Sequence, residues 1–237
     1  MSYLKLRRGQ LLLAGFVLAS LIFVTAPGID LLFSGLFYEK GFVLRESRLQ
    51  EIVQHGLSIS LTTCMLLFTG IYLFNRQRHR RVWDIDGRKL VYLFAVLILG
   101  AGLIVNALLK EHLGRARPRD IAEFGGSRQF TPAYVLSQEC ARNCSFPTGD
   151  GAAAFFSLAV ASVLRRRRAL FVAGISLGVG VSLSRSAAGA HFLSDAVVSF
   201  FVMWLIADVL YHYMLEPRPL FHPAAAGNAA NAARSSS

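Results

Sequence analysis

The apolar residues of this chain lie in long blocks almost free of charge, and that arrangement limits what 237 residues can fold into. A hydrocarbon core about 30 Å thick needs about 20 helical residues to cross it. Six segments approach that length, over about 11–33, 57–74, 90–109, 147–164, 169–183 and 192–213. A soluble domain carries roughly 45–50% apolar and 25% charged residues, whereas here the figures are 54% and 16%. The expectation is an all-α, polytopic membrane protein, a six-transmembrane-helix bundle forming one domain over residues 1–222. Residues 223–237, mostly Ala, Asn and Ser, are too polar and too simple to bury a core, and predict a disordered tail.

A net charge of +11 would suggest nucleic-acid binding in a soluble protein. Here the Lys and Arg residues gather between apolar blocks, where they act as topology determinants and anionic-lipid contacts, so no nucleic-acid partner is expected. The block behind Lys5, Arg7 and Arg8 is followed by five more spans and no clear cleavage site, and reads as a retained anchor. With the N-terminus in the cytoplasm, most of the 25 Lys and Arg fall on the inner side, including the turn from Arg165 to Arg168. One outward loop runs against this bias, with Lys110, Arg115, Arg117, Arg119, Arg128 and Arg142. A bound anion would explain it.

Three segments on that outer side carry chemistry. In the first, Lys110 to Pro118, a helix continuing outward puts Lys110 and Arg117 on nearly one face before Pro118 ends it. Alone, the pair reads equally well as snorkelling charges. In the second, Ser145 can cap a helix, Pro147 suits its first turn, and Gly149 with Thr148 would let backbone approach a phosphate, while Asp150 complements the helix dipole. In the third, Ser184 and Arg185 precede His191 and Asp195, which an i, i+4 helical spacing stacks so that the carboxylate accepts the Nδ1 proton. Nε2 is then left as nucleophile or base. Together these groups make a phosphoryl-transfer site. No metal or other cofactor is expected, because His191, Asp195 and Asp150 lack a third neutral ligand and Arg117 and Arg185 would repel a cation.

The segments resemble the type 2 phosphatidic acid phosphatase superfamily, whose signature is Lys-x6-Arg-Pro, Pro-Ser-Gly-His and Ser-Arg-x5-His-x3-Asp. The outer motifs match at Lys110, Arg117 and Pro118 and at Ser184, Arg185, His191 and Asp195. The resemblance implies that His191 attacks phosphorus to form phosphohistidine, that Asp195 orients it, and that Lys110, Arg117, Thr148, Gly149, Ser184 and Arg185 hold phosphate oxygens. The middle motif departs, reading Pro147-Thr148-Gly149-Asp150 where the family has a histidine that protonates the leaving group. An Asp with an ordinary pKa near 3.9 is a poor acid at neutral pH, unless bound phosphate or burial raises it. Bacterial lipid A 4′-phosphatases are similar in this stretch, with an acidic residue there and a Cys-x3-Cys-Ser-Phe lead-in, here Cys140 to Phe146. That likeness implies a bridge between Cys140 and Cys144 outside the cytoplasm; Cys64, inside an apolar block, packs as a small hydrophobe.

The expectation is a lipid phosphatase of the bacterial inner membrane, its site facing the periplasm and its substrate a phosphorylated membrane lipid, such as lipid A bearing a 4′-phosphate. Lipid diphosphate hydrolysis, phosphotransfer to a lipid acceptor and non-catalytic lipid-phosphate binding remain as alternatives. Arg115, Arg119, Arg128 and Arg142 read as solvated charges or as contacts to a second phosphate or anionic headgroups, His112 as a solvated or interfacial group or a substrate contact, and Phe124, Phe130 and Tyr134 as an aromatic belt or an acyl-chain entry.

Overall fold

A computed structural model describes residues 2–164 and 168–216. The expected tail over 223–237 and most of the Arg165 to Arg168 turn lie outside the described residues. Among those described the chain is helical, with two isolated β-bridges and no strand.

The first apolar block is not one straight span. Helix α1 (Ser2–Thr25) ends before Pro27, and α2 (Gly28–Gly35) leaves at 86° to it. Proline lacks an N–H and disfavours helical backbone in the residue before it, so the helix breaks there. Helix α3 (Arg48–Arg78) starts at Ser47, whose hydroxyl accepts the Leu49 N–H, and stops at His79 in the left-handed conformation. The return loop is held by Asn75, whose amide oxygen accepts Val82 N–H while its nitrogen donates to the Val82 and Ile85 carbonyls.

Helix α4 (Gly87–Lys110) starts at an Asp86 cap and is wound as a π-helix from Val96 onward. The block over 147–164 is broken: α5 (Gly149–Phe155) and α6 (Ser157–Val163) meet at Phe156. Together they cover Gly149–Val163, shorter than a span requires at about 1.5 Å per residue. Helices α7 (Arg168–Ala187) and α8 (Leu193–Met214) complete the bundle. Four helices are long and apolar enough to cross a membrane, or five if α1 and α2 count as one bent span. Of the six expected spans, the block over 147–164 is the one whose helices fall short of that length and the block over 11–33 is the bent one.

Helix α8 is the central post, packed by α1, α4 and α5, with α7 behind α5 and α6. The core between them holds Tyr92, Val96, Val105, Phe155, Phe156, Leu158 and Met203. Many apolar side chains point outward, among them Leu11, Leu32, Ile52, Ile59, Leu66 and Val172. Such a surface suits lipid, since contiguous apolar exposure is rare on soluble monomers.

Close helix packing tests this arrangement. A Cβ on Gly178 of α7 would strike the Phe155 ring, whereas one on Gly180 meets nothing within 4 Å. Gly178→Ala should lose about 1–3 kcal/mol of stability. Gly180→Ala should be neutral or gain up to about 1 kcal/mol. Thermal unfolding of the two variants in the same detergent checks the contrast.

Candidate active site

The sequence-derived site residues meet at one end of the bundle, where α4 and α7 finish and α5 and α8 begin. His191 lies just outside α8, so helical stacking on Asp195 is not what orients it. Its Nδ1 is 2.7 Å from the Ser145 carbonyl, which can only accept, and 3.5 Å from Asp195 Oδ2. The proton therefore sits on Nδ1, and Nε2 carries the lone pair. The side chain is 2% exposed. Burial pushes its pKa below the ordinary histidine value of 6.5, against the raising effect of Asp195, and the charges of Lys110 and Arg117 push the same way as burial.

Asp195 caps its own helix, accepting the Phe192 N–H on Oδ2 at 2.8 Å together with the Ser145 hydroxyl. Oδ1 accepts from Arg115 Nη1 at 2.7 Å. Arg115 is thus not the solvated cation expected from sequence. It is 1% exposed, with Nη2 on Asp30 Oδ2 at 2.8 Å, Nη1 also on Ser194 Oγ, and Nε on the Thr131 carbonyl. Its guanidinium carbon lies 4.1 Å from the centroid of the Phe192 ring, a cation–π distance.

The proposed phosphate-binding cations differ in how they are held. Helix α4 ends within a few residues of Lys110, and Gly114, in the left-handed conformation, turns the chain. A Cβ there would strike the Ser137 carbonyl. Arg117 then sits in extended backbone rather than on a helix face shared with Lys110. Its Nε and Nη2 donate to the Asn143 carbonyl at 3.2 and 2.7 Å. Burial lowers the Arg117 pKa from the usual arginine value, as do the nearby charges of Arg119 and Arg185. Arg185, on the last turn of α7, places Nε 2.9 Å from Asp150 Oδ2 and donates from Nη1 to Gln50 Oε1 at 2.8 Å. With the Gln54 amide oxygen turned toward it, both terminal nitrogens gain a further acceptor at 2.9 Å.

Other residues take plainer roles. Thr148, not Ser145, caps α5, its hydroxyl accepting the Gly151 N–H, and Thr148 is fully buried. Gly149 passes so near Asn106 that a Cβ would fall 2.6 Å from its Oδ1. The Ser184 hydroxyl turns back onto the Val181 carbonyl, while the Ser184 carbonyl accepts from Gln50 Nε2. Cys140 and Cys144 are disulfide-bonded, closing the loop that presents Asn143 to Arg117. The three aromatics make tertiary contacts: Phe130 packs on Phe192, Phe124 on Tyr38 and Phe42, and Tyr134 on Phe146 with its hydroxyl bonded to Ser20.

Asp30, Arg115, Ser145, Gln50 and Gln54 belong to the site but were not assigned to it from sequence. Asp30 did carry a signal, being an acidic group within an apolar block, which is costly without a partner. Arg115 sits between the small residues Gly114 and Ala116, which leave room to bury it. Nothing in the local sequence marks the two glutamines.

The fold thus sets an oriented histidine and converging cations at one end of a bundle of long apolar helices, as in a multi-pass membrane protein. The description of the PAP2 superfamily matches residues 89–219, more than half of the chain, which belongs to that family. The chain is 29% identical over 217 residues to a lipid A 4′-phosphatase of Francisella tularensis subsp. novicida (strain U112), covering 84% of this chain and 92% of that protein. It is 30% identical over 222 residues to a lipid A 4′-phosphatase of Rhizobium etli, covering 82% and 80%. Among solved structures it is similar to the PAP2-type phosphatidylglycerolphosphate phosphatase of Bacillus subtilis, with TM-score 0.55, 17% identity, and coverage of 90% of this chain and 98% of that one. The last likeness concerns the fold.

The burial of His191 has a measurable consequence. In the free protein its imidazole should titrate with a midpoint below 6.5, leaving it neutral with the proton on Nδ1 at pH 7. Nitrogen-15 NMR of histidine-labelled protein reads both the midpoint and the tautomer.

Proposed function

We propose that the chain is a lipid phosphatase of the bacterial inner membrane, with its site at the periplasmic face and a lipid phosphomonoester, such as the 4′-phosphate of lipid A, as substrate. One observation carries the reading: buried His191 is held through Nδ1 by the Ser145 carbonyl, which leaves the lone pair on Nε2, in the field of Lys110 and Arg117. The names of the relatives support the substrate class. An apolar groove of about 200 Å³, lined by Phe33, Phe155, Leu183, Leu193 and Val197, adjoins Ser182, Ser186 and Ala196 on the helices that carry Arg185 and Asp195. It offers acyl chains a place beside the polar site.

In this mechanism Nε2 forms a bond to phosphorus as the bond from phosphorus to the lipid oxygen breaks. Lys110, Arg117 and Arg185 hold the equatorial oxygens, with Thr148 and Gly149 shaping the backbone around them, so no metal is required to offset the charge. Water then attacks the phosphohistidine, inorganic phosphate leaves, and His191 is regenerated. Asp150 stands where the family pattern has its proton-donating histidine, and the free protein ties it to Arg185 as an ion pair. Arriving phosphate competes with Asp150 for Arg185, and the proton that the leaving lipid oxygen takes up would come from the freed Asp150 carboxyl or from water. The same ion pair favours a second reading, a lipid diphosphate substrate, whose phosphate leaving group needs no proton.

Two measurements separate these. His191→Ala should abolish phosphate release from every lipid tested; near-wild-type release would remove His191 as nucleophile. Asp150→Asn should depress monoester hydrolysis on the order of 100-fold or more if Asp150 is the acid, with a much smaller loss on a diphosphate. Equal losses on both substrates would assign Asp150 to holding Arg185 instead.

A further inference from the structure

Among the described residues, the Lys, Arg, His and Asp side chains of the phosphatase pattern leave two buried charged groups unused, Arg115 and Asp30. Asp30 is 0% exposed and comes from α2, the short helix that turns away from α1 at 86°. Its Oδ1 accepts the Ser194 N–H at 2.9 Å, and its Oδ2 accepts the Ser194 hydroxyl at 2.6 Å and Arg115 Nη2 at 2.8 Å. All three partners donate to it, as suits a carboxylate. Arg115 in turn holds Asp195, Asp195 accepts the Ser145 hydroxyl, and the Ser145 carbonyl fixes His191.

We propose that Asp30 is a positioning residue for the His191 reaction, setting Asp195, and through it the imidazole, by way of Arg115 and Ser194. The inference rests on the phosphatase reading and deepens it. A purely structural pairing would be complete with Arg115 and Asp195 alone, since one guanidinium balances one carboxylate. A second buried carboxylate adds a desolvation cost that packing does not require. It leaves the cluster with more negative than positive charge. That excess suits the step in which Nε2 bonds to phosphorus while Nδ1 keeps its proton, because the ring then gains positive charge. The bend at Pro27 brings α2 to the start of α8, so Asp30 and Ser194 meet across 164 positions of chain.

The test uses the full chain in liposomes, a 4′-phosphorylated lipid A disaccharide, and two variants. Asp30→Asn keeps the size of the side chain but removes its charge. It should lower kcat on the order of 10- to 100-fold, as small displacements of a reacting group do, with KM changed less than about twofold. The His191 Nδ1–H resonance in labelled protein should move as well. Ser194→Ala keeps the carboxylate but deletes the hydroxyl between Asp30 and Arg115, and should lower kcat by about three- to tenfold at unchanged KM. Wild-type kcat and an unmoved resonance in Asp30→Asn would overturn the proposal, as would a kcat loss that only tracks the folded fraction. If Asp30→Asn does not fold, unchanged kcat and resonance in Ser194→Ala overturn it. Should the wild-type protein release no phosphate, the phosphatase reading fails, and the resonance alone decides whether Asp30 sets His191.

Discussion

The buried guanidinium of Arg115 is the interaction on which the active end of this protein depends. A charge taken out of water is tolerable only when its donors are satisfied, and removing one partner of such a cluster typically costs about 3–5 kcal/mol. Here the partners come from far-apart parts of the chain: Asp30 on α2, the Thr131 carbonyl in the long loop, and Ser194 and Asp195 on α8. Satisfying one side chain therefore fixes where the first bent block, the loop after α4 and the last helix stand relative to one another. Phe130, Phe146 and Phe192 close over the guanidinium and shield it.

A second layer of charge faces the substrate side. Lys110, Arg117 and Arg185 repel one another, and in the free protein part of that repulsion is offset by Asp150 on Arg185 and by the Asn143 carbonyl on Arg117. These partners hold Arg117 and Arg185 in place. The two layers differ: the Arg115 cluster is saturated by protein, whereas in the proposed function the outer cations give donors to phosphate. His191 stands between them, its Nδ1 tied to the inner layer through Ser145.

Sequence patterning made the membrane-spanning helices legible because each helix buries its own backbone hydrogen bonds, so a long apolar run has little choice of structure in lipid. It was less informative where tertiary geometry decides. The run over 11–33 is mostly apolar, yet at Pro27 it turns by 86°; the run over 147–164 breaks at Phe156. The outer family motifs placed Lys110, Arg117, Arg185, His191 and Asp195 at one end of the bundle, but the i, i+4 argument assigned His191 the wrong nearest acceptor. Ser145, 46 positions away, takes that role because His191 precedes α8 and Asp195 is already occupied by Arg115 and by its own cap. Arg115 was misread for a related reason: its burial depends on two carboxylates supplied from elsewhere, which no local pattern displays.

The central claim is spatial, that one imidazole nitrogen and three cations surround a single phosphorus. An experimental structure of the protein with orthovanadate, which adopts the five-coordinate geometry of phosphoryl transfer, tests it most directly. The account predicts vanadium bonded to Nε2 of His191, with its equatorial oxygens contacted by Lys110, Arg117 and Arg185 and with Asp150 drawn off Arg185. Vanadate bound through Nδ1, or bound away from His191 with the Asp150–Arg185 pair intact, would contradict it.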